Sequence, residues 1–159
     1  MVKYDRVLIS MRKFLLIFFF SFLLGTFFPK DRLISSITRE SLDNPQAILF
    51  YINQYRISLK QPELRWAENL CSLASKRIIE IQTDFSHQKF SSIQPNILFP
   101  TYCPYCTRIN ENLAKDFFDE QTLVNAWIAS PSHQKNLILP STSVCINVQN
   151  GYAVLISSY

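Results

Sequence analysis

Residues 14–28, Phe-Leu-Leu-Ile-Phe-Phe-Phe-Ser-Phe-Leu-Leu-Gly-Thr-Phe-Phe, form an uncharged run that holds seven of the chain's 13 phenylalanines. No face of a water-soluble domain needs such a segment. As helix it reaches about 22 Å, short of the ~30 Å hydrocarbon core of a bilayer, a length that suits the apolar region of an export signal. Lys3, Arg6, Arg12 and Lys13 precede it against a single Asp5, which predicts a cytoplasmic N-terminus and places everything after residue 30 across the membrane. The run ends in Phe27-Phe28-Pro29-Lys30 without a small-residue cleavage site, so residues 1–30 read either as a signal peptide or as a retained signal anchor. The remainder of the chain is expected to fold outside the cytoplasm, anchored to the cytoplasmic membrane or secreted, with residues 31–43 as a spacer and residues 44–159 as one domain.

The formal charge of +4 lies entirely in residues 1–30, and residues 31–159 are neutral. A neutral domain without a Lys/Arg run lacks the electrostatic footprint of a phosphate-backbone binder, so nucleic acid is excluded as a partner. Only two glycines occur, Gly25 and Gly151. Gly-rich phosphate loops, dinucleotide fingerprints and Gly-flanked serine elbows are therefore absent, and no nucleotide is expected. Four cysteines, Cys71, Cys103, Cys106 and Cys145, are an even number in an oxidising compartment, which favours disulfides. They admit three pairings. The close spacing of Cys103 and Cys106 in a proline-containing loop favours a local bridge there, leaving Cys71 for Cys145.

Periodicity organises the rest. Asn44 and Pro45 suit a helix cap and first position, and Ile48, Tyr51, Ile52, Tyr55 and Leu59 then recur on one stripe up to Pro62. Trp66 introduces a second helix of about 17 residues, with Leu70, Leu73, Ala74, Ile78 and Ile81 inward and Glu68, Lys76, Arg77 and Glu80 toward water. Residues 86–108, broken by Pro95, Pro100 and Pro104, read as a long loop. Pro95, Phe99, Tyr102 and Tyr105 in it would make an apolar lip for an envelope lipid, peptide or protein. A strand is expected over 107–114, and a helix over 120–129 capped by Asp119. A further helix starts at Ser130-Pro131, with Ser130 as its cap. A hairpin completes the chain, 144–148 with 152–157 around Asn150-Gly151. Helices first and a terminal antiparallel hairpin give an α+β layer arrangement.

Five fragments in order carry a resemblance: Asn53-Gln54-Tyr55-Arg56, Leu64-Arg65-Trp66, Phe85-Ser86-His87, Asn110-Glu111-Asn112-Leu113-Ala114, and Trp127-Ile128-Ala129-Ser130-Pro131-Ser132-His133-Gln134-Lys135-Asn136-Leu137. Over residues 44–157 the chain resembles the SCP/CAP superfamily of cysteine-rich secretory, antigen 5 and pathogenesis-related proteins, particularly its small bacterial exported members. The resemblance implies a three-layer α-β-α sandwich with a central antiparallel sheet. It also implies a shallow cleft where His87, Glu111 and His133 converge. The pattern departs from the family at three places. Asn110 stands where Gly is usual, which Asn tolerates if φ is positive; Ser132 replaces the Gly before His133; and Ser130 stands where a second acid is common.

Two imidazoles and a carboxylate are a feasible set for Zn²⁺ or another divalent metal, His87, Glu111 and His133 being the ligands. The other reading of the same residues is a polar, water-filled cleft in which Glu111 hydrogen-bonds His133. Cys103-Pro104-Tyr105-Cys106 resembles a glutaredoxin active site, yet only 53 residues come after it and Ser130-Pro131 opens a helix where that fold needs a proline-bearing loop facing the thiols. Three functions stay open: a binding or interaction module of the cell envelope, a metal-dependent hydrolase using the His/Glu cleft, and thiol-disulfide exchange through the CxxC pair. The first is the expectation.

Overall fold

The computed structural model describes residues 42–159. The apolar run 14–28 and nearly all of the predicted spacer lie outside these residues. Among the described residues no helix is long and apolar enough to cross a membrane. In chain order the elements are α1 (Pro45–Ser58), β1 (Arg65–Trp66), α2 (Glu68–Thr83), α3 (Gln88–Ser91), α4 (Pro95–Tyr102), β2 (Ile109–Lys115), α5 (Glu120–Ala129), α6 (Pro131–Ile138), β3 (Ser143–Gln149) and β4 (Tyr152–Ser158).

Local chemistry explains most boundaries. Asn44 Oδ1 accepts from the Ala47 amide at 3.1 Å, and Pro45 occupies the first turn, where its missing N–H costs nothing. Helix α1 stops at Ser58 rather than at Pro62, because Lys60 takes a φ of 58°. Leu59, expected on the buried stripe, is 44% exposed. The stripe runs instead from Ile48 and Ile52 through two polar residues, Asn53 and Arg56, both buried. Asn53 exchanges two hydrogen bonds with the Leu64 backbone, its Nδ2 donating at 3.1 Å and its Oδ1 accepting at 2.9 Å. Arg56 donates to the carbonyls of Pro62, Leu137, Leu139 and Ser141. It thereby satisfies carbonyls at the end of α6 that no helix partner can reach. Burial lowers the Arg56 pKa, but a guanidinium in a protein keeps its proton.

Trp66 lies in β1, not in a helix, and α2 starts two residues later. The stretch read as a long loop holds two short helices, α3 and α4. Pro95 sits at the first turn of α4, where proline is accommodated, and Pro100 lies inside that helix at the cost of one backbone bond. Phe99 and Tyr102 are half-buried against the core, while Tyr105 is 97% exposed. Asp119 caps α5 by accepting from the Thr122 amide at 2.7 Å. Ser130, by contrast, makes no side-chain cap bond to α6. The hairpin turns through Asn150 and Gly151 with φ of 53° and 76°, the pair of positive values that a tight two-residue turn requires.

The sheet has the order β1-β3-β4-β2. β4 pairs antiparallel with β3 and β2, and the two-residue β1 runs parallel to β3, so the sheet is antiparallel except at that edge. Alternation along the strands sends side chains to two cores. Val144, Ile146, Ala153 and Leu155 join Ile48, Ile52, Leu123 and Trp127 on one face. Cys145, Val154 and Ile156 join Leu70, Leu73, Ala74 and Ile78 of α2 on the other. A sheet buried on both faces between helical layers is the expected α-β-α sandwich.

β2 is the sheet edge nearest α6, and side chains cap two of its backbone carbonyls. Asn136 Nδ2 donates to the Glu111 carbonyl at 3.2 Å, and the Trp127 indole donates to the Leu113 carbonyl at 2.9 Å. Capped carbonyls cannot accept a further strand, so the edge is closed where it flanks the cleft.

Candidate functional site

Residues 109, 111 and 113 of β2 point to the α2 face, and 110, 112 and 114 to the opposite face. Glu111 therefore meets α2, and the residue it meets is Arg77. Arg77 was expected to face water, yet its side chain is wholly buried. It lies one to two turns from Leu70, Leu73 and Ile81, at positions that share a helix face. Its Nε donates to Glu111 Oε1 at 2.6 Å and its Nη2 to Glu111 Oε2 at 3.4 Å. Further donations go to Glu80 and, at 2.8 Å, to the Ser86 carbonyl. Burial works against the Arg77 charge, but hydrogen bonds to Glu111 and Glu80, with their negative charges, outweigh it and hold the pKa above the ordinary arginine value.

His87 ends the segment that Arg77 ties down and immediately precedes α3. Its Nδ1 donates to Glu111 Oε2 at 2.8 Å, which turns Nε2 away from the carboxylate. The His87 side chain is 49% exposed, whereas that of Glu111 is 1% exposed. His133 lies in the first turn of α6, and its ring centroid is 6.3 Å from that of His87. Glu111 thus bonds His87, not His133 as one expectation had it. Asparagines set the position of His133: Asn112 Nδ2 donates to the His133 carbonyl at 3.1 Å, and Asn136 donates to Asn112 Oδ1 at 2.9 Å. Burial, and then repulsion from His87, hold the His133 pKa below that of an ordinary imidazole. Asn110 lies in β2 and does not adopt positive φ, so nothing in its backbone calls for glycine.

An open cleft of about 330 Å³ is lined by His87, Phe90, Ser91, Arg108, Ile109, Asn110, Glu111 and Asn136; His133 lies near His87 but is not part of that lining. A divalent metal would need Glu111 as its third ligand beside two imidazoles. Both oxygens of that carboxylate are already engaged by Arg77 and His87, and a guanidinium stands where a cation's charge would have to be offset. Among the described residues no group of three or more His, Cys, Asp and Glu is arranged to hold a metal. The Zn²⁺ set of His87, Glu111 and His133 does not fit this arrangement.

The cysteines form two bridges, Cys71 with Cys145 and Cys103 with Cys106. The first joins α2 to β3. The second lies just past the C-terminus of α4, with Cys103 as its cap residue. A reactive thiolate is favoured at a helix N-terminus, by the positive end of the dipole. Cys103 has the opposite placement.

A family model described as the cysteine-rich secretory protein family, CAP, matches residues 49–145. The chain belongs to the CAP family. No curated protein matches it by sequence. Among solved structures, this CAP domain resembles an outer surface protein of Borrelia burgdorferi with a TM-score of 0.61 and 21% identity, over 71% of this chain and 90% of that one. A cysteine-rich secretory protein of Staphylococcus aureus gives a TM-score of 0.62 at 18% identity, over 72% of this chain and 38% of that one. An extracellular protein of Bacillus anthracis containing an SCP domain gives 0.53 at 18% identity, over 71% and 39%. The chain thus matches less than half the length of the latter two.

The family motifs have physical content in this CAP domain. Asn53 and Arg56 hold β1 and the end of α6, while Asn112, Asn136 and Glu111 fasten α6 and His87 to β2. Arg77 is the residue that motif reading missed. Its signal was available, a charged residue on an otherwise apolar helix face.

Proposed function

We propose that this CAP domain works outside the cytoplasm, held to the cytoplasmic membrane by residues 14–28, as a binding module for a cell-envelope ligand that enters the His87 cleft. The observation that carries the reading is the state of Glu111. Its charge is neutralised by Arg77 and its second oxygen holds His87, so it serves to fix the cleft wall rather than to take a proton from substrate. Among the described residues no hydroxyl is bonded to either imidazole, and all four cysteines are bridged. An activated nucleophile of the usual kind is therefore missing from this cleft. The export reading is supported by the basic residues before an apolar run, by the two disulfides, and by solved neighbours whose names place them at an outer surface or outside the cell.

A photo-crosslinker at Ser91 in the intact chain, in living cells, should give a discrete adduct that is absent when the same group sits at Lys60, away from the cleft. Indistinguishable labelling from both sites would remove the binding reading. A second reading has its own observation: a buried carboxylate orients His87 and leaves Nε2 facing outward, a geometry suited to general-base hydrolysis. Turnover of chromogenic acyl, phosphoryl, glycosyl or peptidyl substrates that is lost in His87→Gln would establish it. The CxxC pair is read as a staple of its loop.

A further inference from the structure

Arg108 lines the cleft, its guanidinium is oriented by two neutral acceptors, and its backbone amide donates to the Tyr159 main-chain oxygen at 3.2 Å. Nε donates to Asn110 Oδ1 at 3.0 Å and Nη1 to the Tyr159 hydroxyl at 3.3 Å. Among the described residues no Asp or Glu comes within ion-pair distance of it. The nearest carboxylate in sequence, Glu111, is engaged by Arg77 and His87. Asn110 is 6% exposed, and the bond from Arg108 decides its orientation. With the amide flipped, N–H groups of both residues would face each other. Asn110 Nδ2 is therefore the leftover donor, and it is buried without an acceptor. Such a donor is costly to leave unmade and marks a place where a partner is missing. It also adds partial positive charge beside the guanidinium. Phe90 and Ile109 line the same cleft from its α2 side.

We infer that this corner of the cleft, Arg108 fixed by Asn110, binds the carboxylate of a ligand that carries an apolar group next to it. The inference rests on the cleft being a ligand site. One fixed positive charge suits a monoanion, and the planar N–H fork of arginine suits a planar carboxylate better than a phosphate dianion. Phe90 and the buried Ile109 supply the wall for the apolar group. Asn110 acts as a positioning residue: its carbonyl aims the guanidinium and its free amide donor raises the local potential.

The test uses the full chain in lipid nanodiscs, with saturation-transfer NMR reading affinity for three soluble probes. These are N-acetyl-phenylalanine, 3-phenylpropionate and the uncharged N-acetyl-phenylalaninamide. Both acids should bind, and the amide at least about tenfold more weakly. Preference for N-acetyl-phenylalanine assigns the carboxylate to a peptide terminus, and preference for 3-phenylpropionate assigns it to a simple organic acid. Arg108→Gln should weaken acid binding about tenfold or more, since an exposed side chain is lost without disturbing the core. Asn110→Asp should do the same with Arg108 still present, because the new carboxylate still accepts from Nε but neutralises the site. If acids and amide bind alike, or if both substitutions leave acid affinity unchanged, the carboxylate site is overturned while crosslinking at Ser91 still reports on the cleft. Binding of none of the probes overturns it as well.

Discussion

Removing Arg77 should damage this domain more than removing any exposed arginine, because it would leave the Glu111 charge buried with no cation beside it. Breaking one partner of a buried pair costs about 3–5 kcal/mol, whereas replacing both by apolar or neutral groups is far milder. Arg77→Met should thus unfold at much lower urea concentration, and Arg77→Met with Glu111→Gln should recover part of the loss. Simple additivity of the two would show that the residues do not act as a pair. His133 gives a second expectation. Its pKa is depressed in the folded domain, so below the ordinary imidazole value of about 6.5 the unfolded chain takes up the proton more readily than the folded one. Stability is then complete above that pH and declines as pH falls from about 6.5 toward the lower folded value. Comparing urea midpoints at pH 7.5 and 5.5 should show this decline, and His133→Asn should flatten it. Zinc belongs at this scale too: with Glu111 engaged, stoichiometric zinc should leave the two imidazole NMR signals unmoved, and a paired shift of both rings would restore the metal site. His87, Glu111 and His133 were named from motif resemblance; the structure bonds His87 to Glu111 and sets the His133 ring 6.3 Å from that of His87. Arg77 is marked only by its place on the apolar face of α2, a signal that its charge, which by default sends an arginine to water, outweighs.

At the scale of elements, what the sequence revealed depended on whether the signal was local. Caps at Asn44 and Asp119, and the positive-φ pair Asn150-Gly151, act within a few residues, and the corresponding helices and hairpin are where they were expected. α3 and α4 were missed because three prolines looked like breakers, although Pro95 sits in a first turn that needs no N–H partner and α4 tolerates Pro100. β1 was missed for a different reason. Two residues carry no periodicity, and the strand exists because Asn53 clamps Leu64 and β3 offers its edge. The disulfides differ in what they hold. Cys71–Cys145 closes a separation of 74 residues and Cys103–Cys106 one of 3. By loop-closure entropy the first contributes about 4.5 kcal/mol and the second about 1.7 kcal/mol. Replacing the first pair by alanine should therefore lower the denaturation midpoint about two to three times as far as replacing the second. Equal effects would mean that strain or residual structure, rather than chain entropy, sets these values.

For the molecule as a whole, the proposed export route can be tested directly. Protease added to intact spheroplasts should digest residues 31–159, and protection would overturn the proposed topology. Release of a product starting near residue 30 would defeat only the anchor. Composition carries the proposed compartment, since the excess charge and the apolar run lie together ahead of a neutral domain. It said nothing of the order of strands, which depends on contacts between distant residues. That order has a consequence for timing. β4 is the last strand in sequence yet lies inside the sheet, between β3 and β2, and both cores draw on its side chains. Neither core can close until Tyr152–Ser158 is present, so on the proposed export route the chain would cross the membrane as a loose thread. A chain halted before Tyr152 should accordingly show no protected amides in hydrogen exchange, even in the helices that are already complete in sequence.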